Sequence, residues 1–272
     1  MRIGLIQTRG IGDIIIALPI AEYLSNLGHE IIWPIDSKFL PSFTDAAPQI
    51  HFRPVMSEAG GDMASNSYFV NEPAAILRHE RCETTLTLYS RFREPGVVRD
   101  PALAASLKFD EYKYAVAGVP FIEKWRLSIR RNTARERALY DRVAPTLPYA
   151  CIHLEGSNVS ISNDEVSALT GGLPVVRISP ETNNIFDWLL VIEKAARLIM
   201  IDSCYSNLVE QLGFTTQKHL LLRSPCGSTP VYKNGWRFVP SRAAVAPNPP
   251  RSPPQSDTPT KNLLSINYSI KS

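Results

Sequence analysis

The chain has 272 residues, of which 44% are hydrophobic and 20% charged, a balance that suits a folded protein with room for two modest domains or one large one. No run approaches the roughly 18 apolar residues that span a bilayer, and no basic segment precedes the first apolar strand, so a cytoplasmic protein is expected. The formal net charge of +3 arises within residues 241–272, where Arg242, Arg251, Lys261 and Lys271 outnumber Asp257 and leave residues 1–240 formally neutral. Residues 78–142 carry 14 Lys or Arg against 9 Asp or Glu, a basic middle that serves either phosphates in a cleft or only solvated helix faces. Cys82, Cys151, Cys204 and Cys226 form no C-x-x-C pair and the histidines are scattered, so neither a disulfide framework nor a zinc site is expected.

The chain opens with a short apolar strand at residues 2–7, the turn Thr8-Arg9-Gly10-Ile11-Gly12-Asp13, and a helix over residues 12–27 with a broad apolar face interrupted by Pro19. Gly28 ends that helix, and residues 30–36 read as a second strand, giving a β-α-β unit with parallel pairing. Further strands are expected at 50–55 and 84–89, a Gly/Ser/Asn loop at 57–67, and helices at 101–108, 109–117 and 133–143. Two prolines between Ala144 and Pro148 mark a hinge. Beyond it come strands at 149–154, 174–178, 198–201 and 219–222, with helices at 185–197 and 203–212. Strand and helix alternate in both parts, which is the pattern of α/β folds. The polar loops at 155–158, 179–184 and 202–204 all follow strand C-termini, the edge where open α/β sheets bind ligands. Residues 241–272 are rich in Pro and Ser and lack periodicity, so they read as a disordered tail.

Two strand-turn-helix junctions stand out, one at Gly12-Asp13 and one at Asp202-Ser203-Cys204, and they are expected to face each other across a cleft. Asp13 serves either as a helix cap or as an ionised base that accepts a proton from an attacking hydroxyl. The Gly10-x-Gly12 pair begins a dinucleotide fingerprint, but Ile15 occupies the third glycine position. Asp36 keeps an NAD-dependent enzyme open as an alternative, because a carboxylate at the end of the second strand can take ribose hydroxyls. Trp188 lies in an apolar helix stripe and reads as core, whereas Trp125 falls in a segment expected to reach the interdomain region. Tyr112, Lys113 and Tyr114 read either as acceptor contacts or as a plain helix surface.

The pattern Gly12-Asp13 with Ala17-Leu18-Pro19, together with Asp202-Ser203 opening a helix that contains Asn207-Leu208, resembles glycosyltransferase family 9, the heptosyltransferase-like enzymes. The resemblance implies a GT-B fold, two Rossmann-like α/β domains with parallel sheets facing across a cleft. It divides the chain into an acceptor-side domain at 1–145, a nucleotide-sugar-binding domain at 146–240 and the tail at 241–272. It implies an inverting transfer of a sugar from a nucleotide-diphosphate sugar to a hydroxyl, with Asp13 as general base. Gly12, Ser157, Asn158, Ser179, Asp202, Ser203, Cys204 and Asn207 are the expected donor-side residues, with the N–H groups of Ser203 and Cys204 turned to the pyrophosphate. Family members usually carry glycine at the position of Cys204 and often histidine at that of Asn207. The chain has no Asp-x-Asp pair, so neither a metal nor another cofactor is expected. The acceptor stays open between a glycan of lipopolysaccharide type and a hydroxymethylated base in DNA, and a non-catalytic nucleotide-binding protein remains a further class.

Overall fold

The computed structural model of the chain describes residues 1–56, 67–89, 100–145, 148–156, 159–222 and 229–240. The first part runs β1 (Arg2–Ile6), α1 (Ile11–Asn26), β2 (Glu30–Asp36), α2 (Leu40–Ala46), β3 (His51–Val55), α3 (Glu72–His79) and β4 (Thr84–Thr87). Its strands make a four-stranded sheet in the order β3-β2-β1-β4, every pair parallel, with Ile3 opposite Ile31 and Leu5 opposite Leu86. A middle segment follows, with α4 (Pro101–Ser106), α5 (Phe109–Ala117), a 3-10 turn at Phe121–Arg126, and α6 (Thr133–Val143). Gly118 ends α5 in the left-handed conformation, and the Asn132 side chain caps α6.

The second part begins with β5 (Ala150–His153), a small hairpin of β6 (Glu155–Gly156) and β7 (Val159–Ser160), α7 (Asn163–Thr170) and β8 (Val175–Arg177). A 3-10 turn at Ile185–Trp188 leads into α8 (Leu189–Lys194), then β9 (Arg197–Ile201), α9 (Cys204–Gln211), β10 (Gln217–Leu222) and β11 (Trp236–Pro240). These strands build a five-stranded parallel sheet in the order β11-β10-β9-β5-β8. Continuous apolar runs such as Leu198-Ile199-Met200-Ile201, all fully buried, are what a parallel sheet covered on both faces requires.

One apolar cluster spans both sheets, and α1 is its axis. Ile14, Ile15, Ile16, Ala17, Leu18, Ile20 and Ala21 are all 0–1% exposed, so this helix is buried all round rather than on one broad face. Pro19 does not break it. The ring deprives the Ile15 carbonyl of its helical donor, and the Gln211 side chain of α9 supplies one at 3.1 Å. Trp188 is core, as its stripe indicates. Trp125 reaches the junction of the two parts, where its Nε1 donates to Glu210 at 2.6 Å.

Elements the sequence did not suggest are α2, α3, α7, the β6-β7 hairpin and β11. The last ends in Pro240 and occupies a sheet edge, the place where a strand tolerates proline. The expected single helix at 185–197 is instead a 3-10 turn and a short α-helix, because the pairing of β9 already begins at Arg197. The tail at 241–272, Ser157, Asn158 and the loop at 57–66 lie outside the described residues. Among the described residues no helix is long and apolar enough to cross a membrane.

Candidate active site

The two junctions meet. A cleft of about 390 Å³ is lined on one side by Gly10 to Asp13 of the β1-α1 turn and on the other by Asp202, Ser203, Cys204 and Asn207 of the β9-α9 turn. Ile16, Phe109, His153, Glu155 and Gly156 complete it. The helix N-termini are in contact at its base: a side chain added at Gly12 would stand 3.5 Å from the Cys204 backbone and 3.6 Å from Asn207 Nδ2. Both macrodipoles therefore direct their positive ends toward one space, a setting that favours an anionic ligand.

Asp13 is not a helix cap. Gly10 takes that position with φ of 76°, and no side chain caps the helix. The Asp13 carboxylate instead opens to the cleft with 38% of its side chain exposed, and its Oδ1 lies 3.1 Å from Lys113 Nζ. A Cβ on residue 10 would fall 2.6 Å from Asp13 Oδ2, so the turn needs glycine both for its dihedral and to clear the carboxylate.

The opposite wall is built differently. Asp202 is 4% exposed and accepts a hydrogen bond from the Tyr232 hydroxyl at 3.1 Å. The Ser203 N–H is taken by Ser206 Oγ at 2.8 Å, which corrects the expectation that it points to a ligand. Asn207 Nδ2 donates to the Ser203 carbonyl at 2.8 Å, while its Oδ1 is buried with no partner among the described residues. Burial pushes the Cys204 thiol up to about 12, so at neutral pH it is protonated and behaves as a small hydrophobe rather than a nucleophile.

His153, at the end of β5, escaped the sequence reading. Its Nδ1 lies 3.0 Å from Ser203 Oγ and its ring stacks edge-on against Tyr205. Burial, aided by Arg177, lowers its pKa to about 4, so the imidazole is neutral at pH 7.

Other positions of interest stand apart from the cleft lining or lie outside the described residues. Ser179 does not line the cleft, because the loop it begins is engaged with the first part and α6: Ser42 Oγ meets the Asn183 carbonyl at 3.5 Å and Arg142 meets that of Glu181 at 3.1 Å. Asp36 is fully buried between Arg9 and Lys38, each 3.5 Å away, and is not presented to a ribose. Tyr112 and Tyr114 are fully buried, the Tyr114 hydroxyl donating to the Ile16 carbonyl at 2.9 Å, so they are neither acceptor contacts nor helix surface. Arg177 is turned toward Glu155, 3.7 Å away, at the cleft margin. Ser157 and Asn158 lie outside the described residues, although the preceding Glu155 and Gly156 line the cleft. Among the described residues no group of three or more His, Cys, Asp or Glu side chains is arranged to hold a metal.

No protein-family model matches the sequence, and no curated protein matches it. Solved structures do match in fold. A family 9 glycosyltransferase from Veillonella parvula superposes with a TM-score of 0.61 at 12% identity, over 88% of this chain and 86% of its own. The ADP-heptose lipopolysaccharide heptosyltransferase II of E. coli gives 0.58 at 11% identity, over 88% and 90%. The E. coli heptosyltransferase WaaC solved with ADP gives 0.57 at 14%, over 88% and 92%. The chain thus has the GT-B fold, in the form seen in family 9 heptosyltransferase-like structures.

Proposed function

We propose that this protein transfers a sugar from a nucleotide-diphosphate sugar to a hydroxyl of a glycan-type acceptor, with Asp13 as general base. The observation that carries the reading is the half-exposed Asp13 carboxylate opening into the same cleft as the N-terminus of α9. Residues 1–145 then form the acceptor side and residues 146–240 the donor side. In the transfer the acceptor oxygen forms a bond to the anomeric carbon with inversion as the bond to the diphosphate breaks. Asp13 takes the hydroxyl proton and the nucleoside diphosphate leaves with the bonding electrons. The α9 N-terminus offsets the charge that develops on the leaving group. Helix N-termini can do this without a cation, so the reaction is proposed to be metal-independent.

ADP is the first nucleotide to test, since the similar WaaC structure was solved with it. In a thermal-shift panel of ADP, UDP, GDP and NAD, a selective nucleoside diphosphate at 100 times its Kd should add about 2.7 kcal/mol to stability, and NAD nothing. Release of that diphosphate from its sugar conjugate, in the presence of a hydroxyl acceptor and unchanged by EDTA, completes the test. Stabilisation by NAD alone would overturn the reading.

A further inference from the structure

We infer that Lys113 is a positioning and charge-compensating residue for Asp13, an inference that rests on the transfer reading above. Lys113, on α5, is 2% exposed. Its ammonium donates to Gln7 Oε1 at 2.6 Å and to the Leu88 carbonyl at 3.2 Å, and forms an ion pair with Asp13 Oδ1 at 3.1 Å. Gln7 and Leu88 are neutral acceptors that directly follow β1 and β4, so they hold the cation whatever the protonation state of Asp13. The Tyr89 and Phe109 rings lie 5.8 and 5.7 Å from Nζ and close the remaining sides.

The consequence follows from charge balance. Among the described residues, the cleft lining carries the carboxylates of Asp13, Glu155 and Asp202 and neither Lys nor Arg. Lys113 stands directly behind the first of these. Before reaction, Asp13 and Lys113 are a neutral pair. When the acceptor hydroxyl gives its proton to Asp13, the aspartic acid becomes neutral and the ammonium keeps its charge through Gln7 and Leu88. The pair then carries one positive charge at the moment the departing diphosphate gains one negative charge. The ammonium offsets the Asp13 carboxylate while the donor binds and is left uncompensated as the bond breaks, which weights its effect toward the transition state.

The test is a double-mutant cycle on the full chain, read by release of nucleoside diphosphate from a sugar-nucleotide panel that includes ADP-heptose. Lys113→Met should lower kcat between about 10- and 100-fold. The dissociation constant of the free nucleoside diphosphate should rise by a clearly smaller factor than kcat falls, the rise being the part owed to the uncompensated Asp13 carboxylate. In an Asp13→Asn background the same change should cost less than in wild type, because the carboxylate that Lys113 positions is gone and only the charge of the ammonium remains to be lost. A crystal structure of Lys113→Met should show the Asp13 carboxylate displaced from its orientation, a readout that needs no turnover. If Lys113→Met does not fold, Gln7→Leu, which removes one neutral anchor, should lower kcat with the same sparing of nucleotide affinity. Equal losses in kcat and nucleotide affinity, full additivity with Asp13→Asn, or an undisturbed Asp13 would overturn the inference while leaving the transfer reading in place. Unchanged turnover in Asp13→Asn alone would overturn both.

Discussion

Asp13 and Asp202 both belong to strand-turn-helix junctions, Asp13 in the first turn of α1 and Asp202 directly after β9, and each lines the same cleft. Their surroundings differ. Asp13 keeps 38% of its side chain open and has a buried ammonium behind it, whereas Asp202 is 4% exposed and bonded to a tyrosine hydroxyl. The strand-turn-helix device therefore places a carboxylate at a cleft but does not decide what it does. Partners from distant elements decide that. Behind α1 stands Lys113, which touches the exposed carboxylate itself; on α9 stands Glu210, fully buried, which touches none of the reacting region. Glu210 accepts from Trp125 Nε1 at 2.6 Å, the Lys233 N–H at 2.7 Å and Trp236 Nε1 at 2.8 Å, joining α9 to the middle segment and to the last strand.

The largest effect that could break this contrast is on turnover. Asp13→Asn should lower sugar transfer by about 10²- to 10⁴-fold without weakening nucleoside-diphosphate binding. Asp202→Asn, which keeps an acceptor for Tyr232, should stay within about tenfold of wild type in the same assay. Equal losses in the two variants would mean that the walls share one role. Next in size is stability. Glu210→Leu leaves several buried N–H donors without an acceptor and should cost about 3–5 kcal/mol in denaturant unfolding. A loss below about 1 kcal/mol would show that the joint does not depend on this carboxylate.

How far the sequence foretold this arrangement follows from the range of each interaction. Strand β2 and helices α5 and α6 were read to the residue, because apolar runs, Gly118 and the Asn132 cap are local signals. Helix α7 was missed although Ser162 and Glu165 begin it with a capping pattern, since only Val166 and Thr170 in it are buried and its periodicity is faint. Gly12, Asp13, Asp202, Ser203, Cys204 and Asn207 line one cleft, and each belongs to a junction visible in a few residues. Their partners are not visible in this way. Gln7 and Lys113 are 106 residues apart in the chain, and His153 and Ser203 are 50 apart. No periodicity reports a contact at that separation. Ser179 failed for the converse reason: its loop follows a strand C-terminus as the rule requires, but is engaged away from the cleft.

The contrast also extends to pH, with opposite signs on the two sides. Burial raises Glu22 of α1 from 4.5 to about 7, and one of its carboxylate oxygens has no partner among the described residues. Between those values the folded protein holds a proton that the unfolded chain has lost, so this group contributes stability at low pH that disappears as pH rises toward 7. His153 is lowered from 6.5 to about 4, so between those values the unfolded chain holds the extra proton and stability grows with pH. Each slope is about 1.4 kcal/mol per pH unit, and between pH 4.5 and 6.5 they oppose one another. Relative to wild type, Glu22→Gln should therefore gain stability with rising pH across that window and His153→Gln should lose it. Thermal unfolding at half-unit pH steps measures both, and parallel curves for the three proteins would contradict the opposed environments.

The smallest expected effect is the sharpest local probe. Gly10→Ala places a side chain on a residue with φ of 76°, at a cost of about 1–2 kcal/mol, and its Cβ would meet Asp13 Oδ2 at 2.6 Å. A free aspartate would swing aside at little cost. This one is tied to Lys113 at 3.1 Å, so relieving the clash must either stretch that ion pair or shift the turn. Gly10→Ala should accordingly lose about tenfold in turnover for a modest drop in Tm, as expected when a reacting group is misplaced by less than an ångström. On the opposite wall, Ser203→Ala removes the partner of a neutral histidine and should cost about 1 kcal/mol of stability with little change in turnover. If the two substitutions proved alike in activity, the placement of Asp13 by its turn and its lysine would not be what separates one wall from the other.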